Sequence, residues 1–561
     1  MKQIRLLFLC LISIQAYAQT PEKTINGPIT KDYTFYNDTI YVLDGFVYVK
    51  NNSTLTIEPG TLIKGIKATR STLVITMGSK IYANGTASQP IVFTSSFNQG
   101  NRAPGDWGGI VILGRGLVNR TADCNTCPGA AVAANLPGVQ VAIEGDLDNA
   151  SGDGLYGGND NTDSSGVLRF VRVEFAGTLI TSGNEINSIT FGGVGSKTVV
   201  EYIQVSHAND DAFEWFGGAV NAKYLIAQGS VDDDFDTDFG YSGKVQFAIS
   251  QRDSFLFDTG SGPTTNGFES DNDSGPTFGG PRTAGVFSNV SMVGPCANGP
   301  LDDFGSFQNG ARLRRNTQLS IFNSVFIGQR TGILLDGSGV VQAFLNDTLL
   351  LKNNLIAGST LLNITTNQAA QTQAVVAKFM AGANDTAASS DGLLKNPFDY
   401  LQPDFQPVNG SGLLEGASFS GAKINDPFFT PVSFRGAVGD VDWTAGWTEF
   451  NALEADYSQP VYPDSANAIF AHKTESVNLI KISPNPAKDQ ACVEIDLIEK
   501  GRLDIAVYDL HGKLIKHIFS GKLEPGNQRF YVETTDMPAG VYLVKMQEGP
   551  YHTVSRMVIS K

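Results

Sequence analysis

The sequence predicts an all-β protein, a long parallel β-helix followed by a small C-terminal β-sandwich. Apolar residues come in runs of four to six bounded by Gly, Asn and Pro, with no helical period. One strand motif recurs at offsets of 22 and 23 residues, and the last stretch changes to longer alternating strands. Of 561 residues 61 are glycine and only 17% are charged, which fits neither a disordered chain nor long helices. The net charge of −16 offers no basic footprint for nucleic acid.

Residues 1–18 have the layout of a secretory signal peptide. Lys2 and Arg5 precede the apolar run Leu6 to Ile14, and Ala16-Tyr17-Ala18 forms a small-x-small cleavage site before Gln19. Once this is removed, no segment is apolar enough to cross a bilayer as a helix. Cys124 and Cys127 then have C-x-x-C spacing without a second pair of zinc ligands. Pro128-Gly129 oppose a redox helix, so a disulfide closing a surface loop is expected.

The body, residues 19–456, opens with the strands around Leu55 to Ile63 and Leu73 to Ile75. Its repetition is clearest at Tyr202-Ile203-Gln204-Val205-Ser206, Tyr224-Leu225-Ile226-Ala227-Gln228 and Phe247-Ala248-Ile249-Ser250-Gln251. A strand-filled period of this length means stacked coils, each burying its face only on its neighbours. One or two helices are expected between Leu345 and Ala388. The aromatic region 428–456, with Trp443 and Trp447, is expected to cap the open end of the solenoid. A polar linker is expected at 457–478, and a separate sandwich of short strands and turns at 479–561.

The last domain resembles a known family. Ser483-Pro484-Asn485-Pro486, Val507-Tyr508-Asp509-Leu510-His511-Gly512-Lys513, Gly540-Val541-Tyr542-Leu543-Val544 and Arg556-Met557-Val558-Ile559 are similar to the type A C-terminal sorting domain of the type IX secretion system of Bacteroidota. The resemblance implies export by the type IX machinery, removal of the domain and attachment of the remainder to surface lipopolysaccharide. The body resembles the right-handed β-helix group that contains pectate lyases, without a lyase or polygalacturonase motif. It also resembles Bacteroidota surface proteins with L-x-I-x-P-G-T and W-G-G-I signatures, present here at 55–61 and 107–110.

The acidity belongs to the body: residues 19–478 carry 27 basic and 46 acidic side chains. Three neighbouring coils concentrate it in Asp210, Asp211 and Glu214, then Asp232, Asp233, Asp234, Asp236 and Asp238, then Glu269, Asp271 and Asp273. Carboxylates stacked at the coil spacing of about 4.8 Å repel by about 3–4 kcal/mol at an effective dielectric near 20. Such a ladder raises its own pKa values or collects a cation, and oxygen-only ligands suit Ca²⁺. Nothing indicates a nucleotide or organic cofactor.

Tyr202, Tyr224 and Phe247 form one column of rings. The alternation Val171, Val173, Phe175 places Ile203, Val205 and His207 inside by register and turns the rings outward, where they could stack on sugars. His207, just before the acids, is a further candidate binding residue.

Two functions are compatible with these residues. One is a non-catalytic, surface-displayed protein that binds glycans or neighbouring cells. The other is a polysaccharide lyase or glycoside hydrolase, with calcium and a base among Lys223, Lys244 and Arg252, or with carboxylates among Asp210, Asp211, Asp233 and Asp234.

Overall fold

The computed structural model describes residues 20–119, 139–181, 183–258, 265–295, 307–459, 480–497, 501–509, 513–523, 526–548 and 551–561. The chain divides into two compact units, Met1–Pro463 and Asp464–Lys561. In the first, most described strands join a seventeen-stranded and a ten-stranded sheet, both parallel, as a β-helix requires, and the remaining strands form two-stranded antiparallel sheets.

One coil shows the plan. Phe213–Phe216 lies in the ten-stranded sheet, and Asn221–Gln228 follows in the longer one. Tyr224, at φ 62°, bends that strand into two limbs, and Gly229, at φ 66°, makes the next corner. The chain then enters Phe235–Asp238 of the next coil. Leu225 pairs with Ile203 and Ala248, the alignment that the sequence offsets predict.

Side chains stack on their counterparts. Inside, Phe213, Phe235 and Phe268 lie one above another with centroids 5.7 and 5.3 Å apart, beside Trp215. Val171, Val173, Ile203, Val205, Leu225 and Ala248 fill the same core. Each large apolar side chain buried here contributes about 1.5–3 kcal/mol. At the bend, Phe170, Tyr202, Tyr224, Phe247, Asn289, Asn323 and Asn353 all adopt φ between 49° and 62°. Asparagine tolerates this left-handed conformation through local hydrogen bonds. An aromatic residue holds it here because the stacked rings repay the backbone cost.

Two helices, α1 (Ser338–Leu345) and α2 (Thr372–Met380), add Val340, Val341, Phe344, Val375 and Phe379 to the core. The first precedes the window that the sequence suggested. The region 428–456 does not cap an end. It belongs to a strap that runs back along the side of the long sheet, held by side-chain amides. Asn323 Nδ2 donates to the Ser418 carbonyl, Gln246 Nε2 to Thr430, Gln204 Nε2 to Glu449 and Gln228 Nε2 to Tyr400 and Phe450. Arg102 binds the carbonyls of Ala452 and Ala455, and the Tyr457 hydroxyl donates to Glu174 at 2.6 Å. Tyr457 is 4% exposed, so the body continues past the expected start of the linker.

The second unit has two antiparallel sheets. Ile480–Ser483, Gln490–Leu497 and Gly526–Glu533 form one. Leu514–Leu523, Gly501–Asp509, Gly540–Glu548 and Tyr551–Ile559 form the other. Val493 and Ile495 of the first share a core with Leu503, Ile505, Val544 and Met557 of the second, which is the expected sandwich.

Tyr224→Asn and Tyr224→Val both remove the stacked ring, but only valine is β-branched at a left-handed position. The valine variant should be less stable by about 1–2 kcal/mol in urea unfolding. Equal midpoints and slopes would show that the left-handed bend is not what selects residues in this column.

Candidate functional site

The outer face of the ten-stranded sheet carries the acids, because Phe213 and Trp215 point inward and Glu214 between them must point out. Register places Glu214 beside Asp236 and Asp236 beside Glu269, and the column ends on Arg312. All eleven predicted acids fall on these coils or the turns that flank their strands. The structure then divides them by whether their oxygens converge on one another.

Six are engaged by nearby groups. Asp234 is buried against Arg252, Nε to Oδ2 2.9 Å, and accepts from Ser250. Asp233 accepts the Asn266 backbone N–H, and Asp238 accepts the Phe239 N–H at 2.6 Å. Glu269 pairs with Arg314, and Asp271 with Arg314 and Arg315 at 2.8 and 2.7 Å. Asp273 accepts from the Ser274 N–H and the Thr277 hydroxyl. The other five form two groups: Asp210, Asp211 and Asp232, then Asp211, Glu214 and Asp236. Each group brings three carboxylate oxygens within 4.8 Å of one another. Asp232 and Asp236 each keep an Oδ1 sealed from solvent without a hydrogen-bond partner, as does Asp234 of the first set, whereas Asp211 accepts the Asp233 N–H at 2.8 Å and Glu214 accepts from Asn187.

Burial and mutual repulsion raise these carboxyls. Asp232 is pushed up to about 6, first by burial and then by the Asp258 charge. Asp210, Asp211, Glu214 and Asp236 are raised well above the ordinary range, each chiefly by burial and then by a neighbouring carboxylate. Glu269 rises to about 8 through burial, with Arg314 opposing. Sealed oxygens in a carboxylate-only donor set fit a hard cation such as Ca²⁺.

The ring column turns outward and is partly covered. Tyr202 stacks on Phe170 at 4.4 Å and on Tyr224 at 4.3 Å, and Phe247 follows at 5.2 Å. The strap lays Trp447 against Tyr202, Trp443 against Tyr224 and Phe434 against Phe247, which is 4% exposed. In the seam between sheet and strap Phe247 of the expected sugar platform is buried, while Tyr202 and Tyr224 stay half-buried.

His207 does not point into the coil. The strand ends at Ser206 and the chain turns at His207 with φ 57°, stacking its ring on Phe175 at 5.0 Å near Tyr400. Burial lowers its pKa to about 4. Of the candidate bases, Lys223 donates to Thr430, Lys244 pairs with Asp426 of the strap, and Arg252 is taken by Asp234. Cys124 and Cys127 lie outside the described residues, as does the signal segment 1–18.

Sequence reasoning missed Asn187, whose Nδ2 donates to Glu144 at 2.7 Å and to Glu214. It also missed Arg312, Arg314 and Arg315. The alternation of Arg312 and Arg314 marks an outer face, but inserted loops widen the offset to 33 and then 43 residues and hide the register.

Residues 27–448 match a family described as pectate-lyase like beta helix domain. Residues 481–560 match one described as secretion system C-terminal sorting domain. No curated protein matches the chain. The sorting domain indicates type IX export and a secreted, cell-surface-attached protein, and implies an origin in Bacteroidota. Among the described residues no helix is long and apolar enough to cross a membrane.

Carboxyls whose pKa is raised by folding bind protons more tightly in the fold than in the unfolded chain. Their contribution is fully present below the unfolded values, 3.8 for Asp and 4.5 for Glu. It is lost as pH rises through about 6 for Asp232 and about 8 for Glu269. The melting temperature of cation-free protein should accordingly fall between about pH 5 and about pH 8, and millimolar Ca²⁺ should flatten that fall. A Ca²⁺-independent profile would count against a cation at these acids.

Proposed function

The chain belongs to the pectate-lyase-like β-helix family, and from that premise we propose that it is a non-catalytic, surface-displayed protein that uses Ca²⁺ on its acidic face to bind glycans. The observation that carries this reading is the division of the acids. Five carboxylates converge in two groups with sealed oxygens. The basic side chains on the same coils that could abstract a proton are tied to Thr430, Asp426 and Asp234. A cation held by carboxylates can complete its shell with ligand oxygens from hydroxyls or carboxylates of a polysaccharide. Attachment of the body to surface lipopolysaccharide, implied by the tail, would display this face outside the cell.

A glycan array probed with the full chain in Ca²⁺ and again in excess chelator tests the reading. Binding in Ca²⁺ that disappears with chelator, and in a Glu214→Gln, Asp236→Asn double variant that still folds, is the expected result. Shortened or unsaturated products from any bound polysaccharide would transfer the assignment to an enzyme. Chelator-resistant binding would remove the cation from it.

A further inference from the structure

The two ends of the solenoid are finished differently. At the first, Ile29 pairs along the outer edge of Phe46–Val49. Its N–H reaches the Tyr48 carbonyl at 2.8 Å, and the Lys50 N–H returns to the Ile29 carbonyl at 2.9 Å. The outermost strand of the long sheet there, Glu22–Asn26, exposes Glu22 and Lys23. A covering segment and charged side chains both keep a strand edge from pairing with another chain. At the other end, Leu362–Thr366 closes the ten-stranded sheet and, among the described residues, pairs only with Thr331–Asp336. From Asn353 to Asn384 there is no proline, and the single charged side chain is Lys378, paired with Asp347 at 2.8 Å. This edge has neither protection.

The helix in the same last coil is apolar on both sides. α2 turns Val375 and Phe379 into the core and exposes Ala374, Val376, Ala377 and Met380 on its other side. A helix apolar all round is ordinarily buried all round. Leu361 and Leu362, where the edge strand begins, are 60% and 51% exposed, and Val376 and Met380 are 39% and 47% exposed. We propose that this end of the β-helix docks against the same end of a second copy of the chain, related by a two-fold axis. Charge selects that occupant. The body carries 46 acidic against 27 basic side chains, so two copies repel in general, whereas this end meets its own copy without charge. The opposite end of a copy would present the strand that Ile29 already covers and the one that carries Glu22 and Lys23. A same-end contact also closes at two chains, with the Leu362–Thr366 edges antiparallel across the axis. The proposal goes beyond the glycan reading and does not depend on it.

The test is sedimentation velocity of the full chain over a concentration series from about 1 to about 100 µM. The mass should rise from one chain to two and stop there. Val376→Lys and Met380→Lys change exposed side chains of α2 and should each weaken the dimer by about tenfold or more, with the monomer's melting temperature unchanged. Val441→Lys, on the strap at 78% exposure, should leave the dimer intact. If a helix variant does not fold, Leu362→Lys decides in its place, since it alters the edge strand and leaves α2 untouched. A monomer at every concentration would overturn the proposal. So would a dimer that survives all three lysines at this end, because it would belong to another face. A mass that keeps growing with concentration would mean that unlike ends stack, and would overturn the two-fold contact.

Discussion

Parallel coil register governs this molecule. Each residue lies over its counterpart one turn earlier, about 4.8 Å away, so the sequence is read as columns rather than as segments. Columns of like residues form as a result. Rings on rings and amides on amides are favourable: Phe213, Phe235 and Phe268 fill the interior, and Gln228 stacks on Gln251 at 3.5 Å while both hold the strap. Acids on acids are not favourable. The column that starts at Glu214 and Asp236 is relieved at Glu269 by Arg314, and the neighbouring Asp271 by Arg314 and Arg315. Around Asp211 no described arginine or lysine pairs with the five converging carboxylates, and a proton or a cation must serve instead.

The strap is the second consequence. The left-handed column bends each long strand and projects its side chains outward, where a β-helix alone would leave a greasy stripe along one side. The returning chain covers that stripe with Trp443, Trp447 and Phe434, and side-chain amides satisfy its backbone carbonyls without a regular strand. Lys223, Lys244, Tyr202, Tyr224 and Phe247 are thereby committed to the sheet–strap seam. The acidic face, on the other sheet, is not part of that seam.

Much of this was legible. The offsets of 22 and 23 residues predicted coil pairing residue by residue, and alternation predicted that Ile203 and Val205 turn in while Tyr202 turns out. Alternation failed at His207 because it holds only within a strand, and the chain leaves the strand at that residue. It also could not reveal the strap, since Trp447 and Tyr202 are brought together by backbone hydrogen bonds to Gln204 and Gln228, not by local pattern. The acids were found as a cluster because they are dense in sequence. Their sorting into engaged and converging sets depended on Arg314 and Arg315, which inserted loops had moved out of period.

The central claim is that coil stacking forces carboxylates together until a cation relieves them. It is tested most directly by the thermal stability of Asp236→Asn with and without Ca²⁺. The account predicts that removing this charge raises the melting temperature of the cation-free protein and abolishes most of the gain on adding Ca²⁺. A lower cation-free melting temperature with the Ca²⁺ gain intact would contradict it.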